Sequence, residues 1–415
     1  MNIAVVGAGI SGLVAAHLLT RGHDVTVFEA EGRIGGHTHT VEAEAGGQRF
    51  AVDTGFIVFN EETYPNFLAL LGRLGVLSLP STMSFGVKCE RTGMEYSPSS
   101  IDRMFAQRRN LLRPSFWRMV CDILRFRREA PGILLERDRE NTLGTFLSRG
   151  GYSREFIDRF LVPMGASVWS ADPERFLEFP AWAFVRFFEN HRFLSLLGQP
   201  VWRVIRGGSR EYLEPLARPF RDRVRLDTPI DSVRRFNQYV EVRPRSGGCE
   251  RFDQVVIAAH SDQALRMLAD PSEAEREILG AIPYQGNRTV LHTDTSLLPT
   301  RRKAWAAWNY LVPRERKGAP AVTYDMNILQ GLAAPVEFLV TLNCEERIDA
   351  AKVLRRMTYH HPVYSPGGFA AQARKEEISG VRRTWYCGAY WGWGFHEDGV
   401  SSAVEVCRHL GVSFP

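Results

Sequence analysis

The chain has 415 residues, of which 44% are hydrophobic and 24% are charged, and this composition excludes a wholly disordered chain and favours two domains. No apolar run reaches the ~20 residues of a transmembrane helix, and the apolar first residues lack the basic leader of a signal peptide. The six cysteines fall at no metal-ligand spacing. We therefore expect a cytoplasmic protein with reduced thiols and no metal site.

The first thirty residues predict a nucleotide-binding strand–helix–strand unit. Residues 3–6 and 24–28 are apolar runs typical of buried parallel strands. The helix between them, expected to end near Arg21, begins in a GxGxxG pattern whose members are Gly7, Gly9, Ile10, Ser11 and Gly12. Such glycines permit a tight turn, close approach of a pyrophosphate, and packing of helix on strand. Glu29, which ends the second strand, is suited to bind an adenosine ribose. The pattern alone leaves NAD and FAD open.

The next segment favours FAD through its resemblance to a known family. Residues 29–38, EAEGRIGGHT, resemble the ExxxRxGGR segment of the flavin-containing amine oxidase superfamily. The resemblance implies that the FAD pyrophosphate and ribityl chain lie over Ala30, Arg33, Gly35, Gly36, His37 and Thr38. His37 stands where the family usually has arginine, which changes one phosphate contact. Residues 53–57, DTGFI, match the following family segment, in which Gly55, Phe56 and Ile57 pass the flavin.

The same resemblance implies the fold class, which is α/β and of the amine oxidase or phytoene desaturase type. We expect a Rossmann-type FAD-binding domain built from residues 1–80, 203–280 and 375–415. Residues 81–202 and 281–374 should form a second, substrate domain of mixed helix and sheet, helical in its first part and sheet-like in its second.

Positive charge is concentrated in the first part of that substrate domain. The chain carries a net charge of +5, and residues 103–128 hold eight arginines and one acid, Asp122. After Pro114 the sequence predicts a helix with an apolar face of Phe116, Met119, Val120, Ile123 and Leu124 and a polar face of Arg118, Asp122 and Arg125. Two interpretations of this helix remain open. It is either a solvated helix packed on its own domain or a helix that rests on an anionic membrane surface, at the inner face. Nucleic acid is disfavoured, because no recognition motif accompanies the charge.

Residues 176–198, FLEFPAWAFVRFFENHRFLSLLG, are dense in phenylalanine and leucine. Core packing is the simplest interpretation for any one of these residues. Together they suggest an apolar substrate tunnel.

Residues 206–260 are predicted to return to the cofactor. Residues 206–209, RGGS, resemble the GG turn that opens a helix beside the flavin in the family. A strand meander follows, and the family places adenine against the backbone near Ile230, with Ala258 at the end of the meander. Cys249 lies in a hairpin turn of this meander, away from the flavin ring. We therefore expect FAD to be bound non-covalently.

Residues 357–362, MTYHHP, contain the candidates for a catalytic base. A histidine titrates near pH 7 and suits this role, so His360, His361 and the adjacent Tyr359 are the candidate catalytic residues. The alternative is that these side chains cap or pack the core. Adjacent strand residues face opposite ways, which argues against a metal held by both histidines.

Residues 388–403, GAYWGWGFHEDGVSSA, end in a predicted helix that opens at residues 398–400. In the family this helix N-terminus points at the flavin, so we expect the free amide of Val400 to stabilise negative charge on the reduced ring. Glu397 or Asp398 would bond the ribityl hydroxyls, although Asp398 is also suited to cap the helix. Gly388 and His396 complete the predicted contacts. Trp391, Trp393 and Phe395 would wall the ring or a channel, and Gly392, Gly394 and Gly399 would permit close backbone approach.

Four further segments resemble a narrower group of flavoproteins. Residues 63–71, 81–87, 105–120 and 156–170 look like the amino-terminal flavoprotein region of plant cyclopropane fatty-acid synthases, and like stand-alone bacterial flavoproteins of that group. This resemblance implies an FAD-dependent oxidoreductase that transfers hydride from a fatty-acyl or other lipid substrate to flavin, in desaturation, oxidation or flavin-assisted isomerisation. A flavin amine oxidase is one alternative. A non-catalytic, flavin-bound accessory protein for a partner lipid methyltransferase is another.

Overall fold

The structure, a computed structural model, describes residues 1–135, 141–169, 176–195, 198–314 and 321–414. The strands, in chain order, are β1 (Asn2–Val6), β2 (Asp24–Phe28), β3 (Thr40–Ala45), β4 (Gln48–Asp53), β5 (Phe59–Asn60), β6 (Ser78–Pro80), β7 (Phe85–Cys89), β8 (Met94–Tyr96), β9 (Trp202–Ile205), β10 (Val224–Arg225), β11 (Ile230–Arg235), β12 (Val240–Pro244), β13 (Glu250–Phe252), β14 (Gln254–Ile257), β15 (Tyr284–His292), β16 (Trp308–Val312), β17 (Ala321–Asp325), β18 (Leu339–Leu342), β19 (Val353–Pro362) and β20 (Thr384–Tyr386).

The α-helices are α1 (Ile10–Leu19), α2 (Pro65–Leu74), α3 (Ile101–Met104), α4 (Pro114–Glu129), α5 (Leu143–Arg149), α6 (Arg154–Phe156), α7 (Val162–Trp169), α8 (Ala181–Asn190), α9 (Leu213–Ala217), α10 (Ser261–Met267), α11 (Glu273–Gly280), α12 (Met326–Gln330), α13 (Pro366–Gln372) and α14 (His396–His409). Within the residues described, none of these helices combines the length and apolar character that crossing a membrane requires.

A five-stranded parallel sheet forms the centre of the nucleotide-binding part. Its strand order is β10-β2-β1-β14-β20, and in the middle of β1 Val5 lies opposite Val27 on one side and Val256 on the other. Ile3, Ala4 and Val5 are wholly buried, because parallel strands covered on both faces are apolar throughout rather than alternating. The helix α1 crosses from β1 to β2, as the sequence predicts. It ends at Leu19, slightly before the expected Arg21.

A seven-stranded mixed sheet forms the second part, in the order β19-β15-β18-β17-β16-β7-β8. Five of its strands come from residues 281–374, the part predicted to be sheet-like. The hairpin of β7 and β8 is an addition from the part predicted to be helical, and it turns at Gly93, whose φ is +62°. The parallel pairing of β7 with β16 joins the two chain segments into one sheet. The division into two domains stays a prediction.

The helix α4 forms where the charged segment predicted a helix, but its faces differ from the expected ones. Phe116, Met119 and Ile123 are buried as predicted, whereas Leu124 is 51% exposed. Asp122 is buried rather than sharing a solvent face with Arg118. Its carboxylate accepts the amide of Ser153 at 2.9 Å and pairs with Arg125 at 3.3 Å. The predicted faces were therefore wrong for Leu124 and Asp122, because a neighbouring segment supplies an amide that sequence periodicity does not show.

The aromatic segment packs into the core. Phe176, Phe184, Phe187 and Phe188 are each at most 2% exposed, and the ring centroids of Phe184 and Phe188 are 4.0 Å apart. Core packing, the simplest interpretation, therefore holds for these four rings, and the substrate tunnel stays a prediction. Residues 196 and 197 of the segment lie outside the described residues.

Candidate cofactor and substrate site

The first turn of α1 is open to a ligand. Gly7 has a φ of +104°, and a Cβ on Gly12 would lie 1.9 Å from the Gly7 carbonyl oxygen, so both positions require glycine. Among the described residues, no atom lies within 4 Å of the place that a Cβ on Gly9 would take, and no side chain caps the helix at Gly9. Ile10 and Ser11, the first helical residues, are buried. A buried helix N-terminus without a cap needs an acceptor for its amides, and a pyrophosphate is one.

Glu29 lies beside this turn. Its carboxylate accepts the amide of Ala8 at 2.7 Å and that of Glu31 at 2.9 Å, and burial raises its pKa. The Glu29 carbonyl accepts the amide of Thr228 at 2.7 Å, which brings the start of β11 at Ile230 to the same place. Ala258 packs against Gly7 from the end of β14. The residues predicted for the adenosine end thus surround one turn, while Ala30 is exposed at its edge.

The Gly35–Gly36 turn lies directly on the turn of α1. The amide of Gly35 donates to the Ala8 carbonyl at 2.7 Å, and a Cβ on Gly36 would lie 3.1 Å from Gly9 Cα. The guanidinium of Arg33 donates to the carbonyl of Gly36 at 2.8 Å and to that of Thr38 at 3.2 Å. Arg33 therefore holds the turn in shape, and its predicted contact with the cofactor stays a prediction.

His37, at the position where the family usually has arginine, is a neutral side chain here. Burial lowers its pKa to about 4, and its Nε2 is buried without a hydrogen-bond partner. The ring lies 5.2 Å from that of Tyr359 and 5.4 Å from that of His361, measured between centroids. An unpaired polar atom beside the cofactor segment is consistent with a ligand that completes it.

The candidate bases lie on β19, next to these cofactor segments. The Tyr359 hydroxyl is 2.8 Å from His39 Nδ1 and 2.7 Å from Thr54 Oγ1, and burial raises its pKa to about 12. His361 Nδ1 is 2.8 Å from the Asn287 amide nitrogen, and burial lowers the pKa of His361 to about 3. Neither pKa suits a base near pH 7.

His360, an exposed neighbour on the strand, faces the other way. The catalytic assignment of the three residues stays a prediction. Among the residues described, no group of histidine, cysteine or acidic side chains is placed to hold a metal ion.

Asp53 joins two segments that were predicted separately. Its carboxylate accepts the amide and hydroxyl of Ser209, each at 2.8 Å, and the hydroxyl of Thr40 at 2.6 Å. This places the GG turn of residues 207–208 against the DTGFI segment. A Cβ on Gly55 would lie 2.2 Å from the His37 carbonyl oxygen, and Ile57 is buried. Sequence motifs indicated both segments but not the carboxylate that links them.

A polar cluster of three side chains lies at the centre of the site. His396 Nε2 is 3.1 Å from Thr38 Oγ1 and 3.0 Å from the Tyr212 hydroxyl, and Thr38 and Tyr212 also bond each other. The His396 ring stacks on Phe56 with centroids 3.5 Å apart. Burial lowers the pKa of His396, so the ring is neutral. Tyr212 was missed by sequence reasoning, since it lies in no motif and reaches the site only through the fold.

The C-terminal helix α14 begins at His396, two residues before the predicted opening. Val400 is therefore buried in the second turn, beyond the first four residues whose amides lack helical acceptors, and its predicted free amide is wrong. Asp398, the third residue of the helix, accepts the amide of Trp393 at 3.0 Å and the N-cap amide of Phe395 at 2.8 Å, so it ties the preceding loop to the helix start. Gly388 donates its amide to Ser402 at 2.9 Å.

Glu397 binds the backbone of a neighbouring helix. Its carboxylate accepts the backbone amides of Asn66 at 3.1 Å and Phe67 at 2.9 Å. Both amides belong to the N-terminus of α2, which lacks a side-chain cap of its own. Glu397 therefore joins α14 to α2, and a ribityl contact by this residue or by Asp398 stays a prediction.

Two adjoining cavities lead to the start of α14. An inner cavity of about 460 Å³ lies between Tyr64, His191, Trp393, Phe395 and Asp398. An outer cavity of about 520 Å³ lies between Arg127, Pro131, Glu189, Arg192 and Leu194. Glu62 and Asn190 line both cavities. Trp393 and Phe395 thus line a cavity, whereas Trp391 packs on the ring of Tyr390, with centroids 4.8 Å apart. Their predicted position against the flavin ring stays a prediction.

Comparison with known proteins defines the family. The profile of the flavin-containing amine oxidoreductases matches residues 10–321, more than half of the chain, and the chain belongs to this family. Protoporphyrinogen oxidase 2 of Arabidopsis thaliana is 62% identical over 41 residues, 10% of this chain and 8% of that protein. A 4,4'-diapophytoene desaturase of Staphylococcus aureus is 35% identical over 75 residues, 18% of this chain and 14% of that protein. The matches thus span small parts of these relatives.

Solved structures resemble the chain over nearly its whole length. Cyclohexylamine oxidase from Brevibacterium oxydans IH-35A has a TM-score of 0.71 at 17% identity and covers 99% of each chain. A CLA-producing fatty acid isomerase from P. acnes has a TM-score of 0.69 at 16% identity and covers 98% of each chain. At these identities the likeness establishes the fold. With the family match, the predicted α/β fold class and FAD cofactor are confirmed, and the protein is an FAD-dependent oxidoreductase.

Proposed function

We propose that this oxidoreductase acts on a fatty-acyl or other lipid substrate, in desaturation, oxidation or isomerisation. The sequence resemblance to the flavoprotein region of plant cyclopropane fatty-acid synthases supports a lipid substrate. One similar structure is that of a fatty acid isomerase, and one relative is named as a desaturase. FAD, when bound, supplies the hydride acceptor. The chain itself must then bind the lipid, orient it and handle any proton.

The proposal rests mainly on the guanidinium of Arg127 in the outer cavity, which lacks a carboxylate partner among the described residues. Arg127 is partly buried, and burial lowers its pKa. The neighbouring arginines are neutralised, since Arg192 pairs with Glu62 at 2.7 Å and Arg186 with Glu189 at 3.2 Å. Within the residues described, no carboxylate pairs with Arg127. A partly buried guanidinium without a counter-ion favours an anionic ligand, and the carboxylate of a fatty acid fits it.

The arrangement of the two cavities sets the orientation that we propose for the bound substrate. With its carboxylate at Arg127, an acyl chain would pass Glu62 and Asn190 and reach Trp393 and Phe395 at the start of α14. Asp398 lies in that inner wall, and burial raises its pKa to about 7. A carboxyl group with a pKa near the working pH is suited to give or take a proton. We infer that Asp398, rather than His361 or Tyr359, handles the proton of the reaction.

Oxidation of an amine is the second candidate function. Tyr64, Trp393 and Phe395 line the inner cavity together with Asp398, and aromatic side chains suit a cation. Two features weaken this candidate. Glu62 is already paired with Arg192, and the raised pKa of Asp398 leaves it largely uncharged below pH 7.

Anaerobic mixing of the flavin-loaded protein with a panel of ligands separates these functions. Free fatty acids should bleach the flavin or, in an isomerisation, return with a moved double bond seen by gas chromatography. Bleaching by primary amines alone would identify an amine oxidase. No change with either class would leave the accessory role beside a lipid methyltransferase.

The variant Arg127→Gln tests the proposed position of the substrate carboxylate. The half-saturating fatty-acid concentration should rise by about tenfold or more, as expected for a lost charged hydrogen bond, whereas neutral methyl esters should be unaffected. Arg186→Gln removes an arginine that is already paired and is the matched control. Equal effects on acids and esters would contradict the placement of the carboxylate.

A further inference from the structure

Several apolar side chains near α4 are exposed together. Leu112 is 87% exposed, Ile101 83% and Trp117 43%. The Trp117 indole nitrogen donates to the Leu111 carbonyl at 2.8 Å, so the ring lies against the 3-10 turn of Arg108–Leu112. A single exposed leucine is ordinary on a protein surface, but a group of them with a tryptophan marks an interaction site.

The helix α4 carries an apolar stripe on its solvent side as well as on its core side. Trp117, Cys121 and Leu124 are all exposed and follow one another at intervals of four and three residues, which places them on one stripe. Phe116, Met119 and Ile123 are buried on the other side. A helix that merely packs on its own domain needs only the buried stripe. The exposed stripe therefore requires a separate explanation.

Unpaired arginines surround these apolar residues. Within the described residues, Arg109, Arg113 and Arg118 have no carboxylate partner. In the part of the chain that the structure describes, the Arg113 guanidinium donates to the side-chain oxygen of Asn110 at 3.4 Å, and that of Arg109 donates to the carbonyl of Gly93. The local positive charge is therefore available to an anionic partner.

A second basic segment joins the same surface through the fold. Lys303 pairs with Asp102 at 3.0 Å, and Asp102 also pairs with Arg108. The guanidinium of Arg103 donates to the Trp305 carbonyl at 3.0 Å. Residues 302 and 303, about two hundred positions away in the chain, thus extend the basic surface. We call the exposed surface of residues 101–128 with Arg302 and Lys303 the docking face.

We propose that the docking face rests on the surface of an anionic phospholipid bilayer. The exposed leucines and the tryptophan would enter the boundary between headgroups and acyl chains, while the arginines bind phosphates. A nucleic acid would satisfy the arginines but would leave Leu112 and Ile101 exposed to water. The last turn of α4 also supplies Arg127 to the outer cavity, so docking brings that cavity to the source of acyl chains. The docking face does not depend on the proposed function.

Vesicle flotation of the flavin-loaded protein tests the docking face without any catalytic readout. Binding should occur to vesicles of equal phosphatidylcholine and phosphatidylglycerol, fall with added salt, and be much weaker with phosphatidylcholine alone. The triple variant Arg109→Gln, Arg113→Gln, Arg118→Gln should lower the partition coefficient on the order of a hundredfold, since each arginine contributes about fivefold at an anionic surface. Leu112→Gln should lower it with the charge unchanged.

Matched variants elsewhere on the surface control for charge and for polarity. Arg221→Gln, Arg251→Gln and Arg276→Gln together remove the same charge from exposed positions outside the docking face, and Leu77→Gln changes a leucine that is 62% exposed. Both controls should float like the wild type, and every variant should keep its flavin absorbance. Absence of binding to anionic vesicles would overturn the proposal. So would equal binding to neutral vesicles, or equal losses in the docking-face and control variants.

Discussion

Two helix N-termini meet at the candidate cofactor site, and they are completed in different ways. The first turn of α1 has no side-chain cap, and the space beside Gly9 is open. At the start of α14, the N-cap amide of Phe395 is donated to the helix's own Asp398. They touch at Gly399, where a Cβ would lie 2.9 Å from both Ile10 and Ser11. The difference indicates that α1 depends on a ligand to satisfy its first-turn amides, whereas in α14 the N-cap amide is already satisfied by a side chain of the helix itself.

Gly9→Ala and Gly12→Ala test the open turn as a pair, and they have the largest expected effects. The Cβ on Gly12 would lie 1.9 Å from a backbone oxygen, so this variant should lose several kcal/mol of folding free energy or fail to fold. The Cβ on Gly9 meets no atom of the described residues within 4 Å, so this variant should fold with the thermal midpoint of the wild-type apoprotein yet lose FAD. Thermal unfolding without flavin measures the stability of the two variants, and flavin titration measures their affinity for FAD. Normal FAD affinity in Gly9→Ala would show that the ligand lies elsewhere.

Glu29→Ala should weaken FAD binding at the adenosine side of the same turn. The loss should be roughly 1.5–3 kcal/mol, as for a charged hydrogen-bonding group, and part of it would come from freeing the amides of Ala8 and Glu31. Fluorescence titration of the apoprotein with FAD gives the value. An unchanged affinity in a folded variant would contradict the position assigned to the ribose.

Asp398→Asn tests the capped terminus through pH. Burial raises the Asp398 pKa from its ordinary 3.8 to about 7, so between these values the folded protein holds a proton that the unfolded chain has released. The contribution of this proton to the free energy of unfolding is fully present below about pH 4. It is lost as the pH rises to 7, at up to about 1.4 kcal/mol per pH unit. The variant should show a flatter decline in the free energy of unfolding over this range. A decline equal to that of the wild type would mean that Asp398 titrates normally.

The open turn could be predicted from the sequence, and much of the rest of the site could not. Gly7, Gly12 and Gly36 are fixed by local backbone geometry, which a short motif records. The bond between Glu397 and α2 was not predicted, because the position of α2 depends on the whole fold. Likewise, no local pattern shows that Lys303 meets Asp102.

The aromatic segment shows a related limit. Composition cannot tell a tunnel wall from a core, because both are apolar. The rings of Phe184 and Phe188 pack on each other, whereas Asn190, His191 and Leu194 of the same segment line the cavities. The same limit applied to α4, where Leu124 was placed on the wrong face.

The central claim is that an FAD molecule completes the open terminus of α1 without a covalent bond. The most direct measurement is acid precipitation of the purified protein, followed by absorbance and chromatography of the supernatant. The expected result is that all yellow colour leaves the pellet and that FAD is released in equal amount to the protein. Colour retained in the pellet would contradict non-covalent binding, and a colourless protein that does not take up added FAD would contradict the site itself.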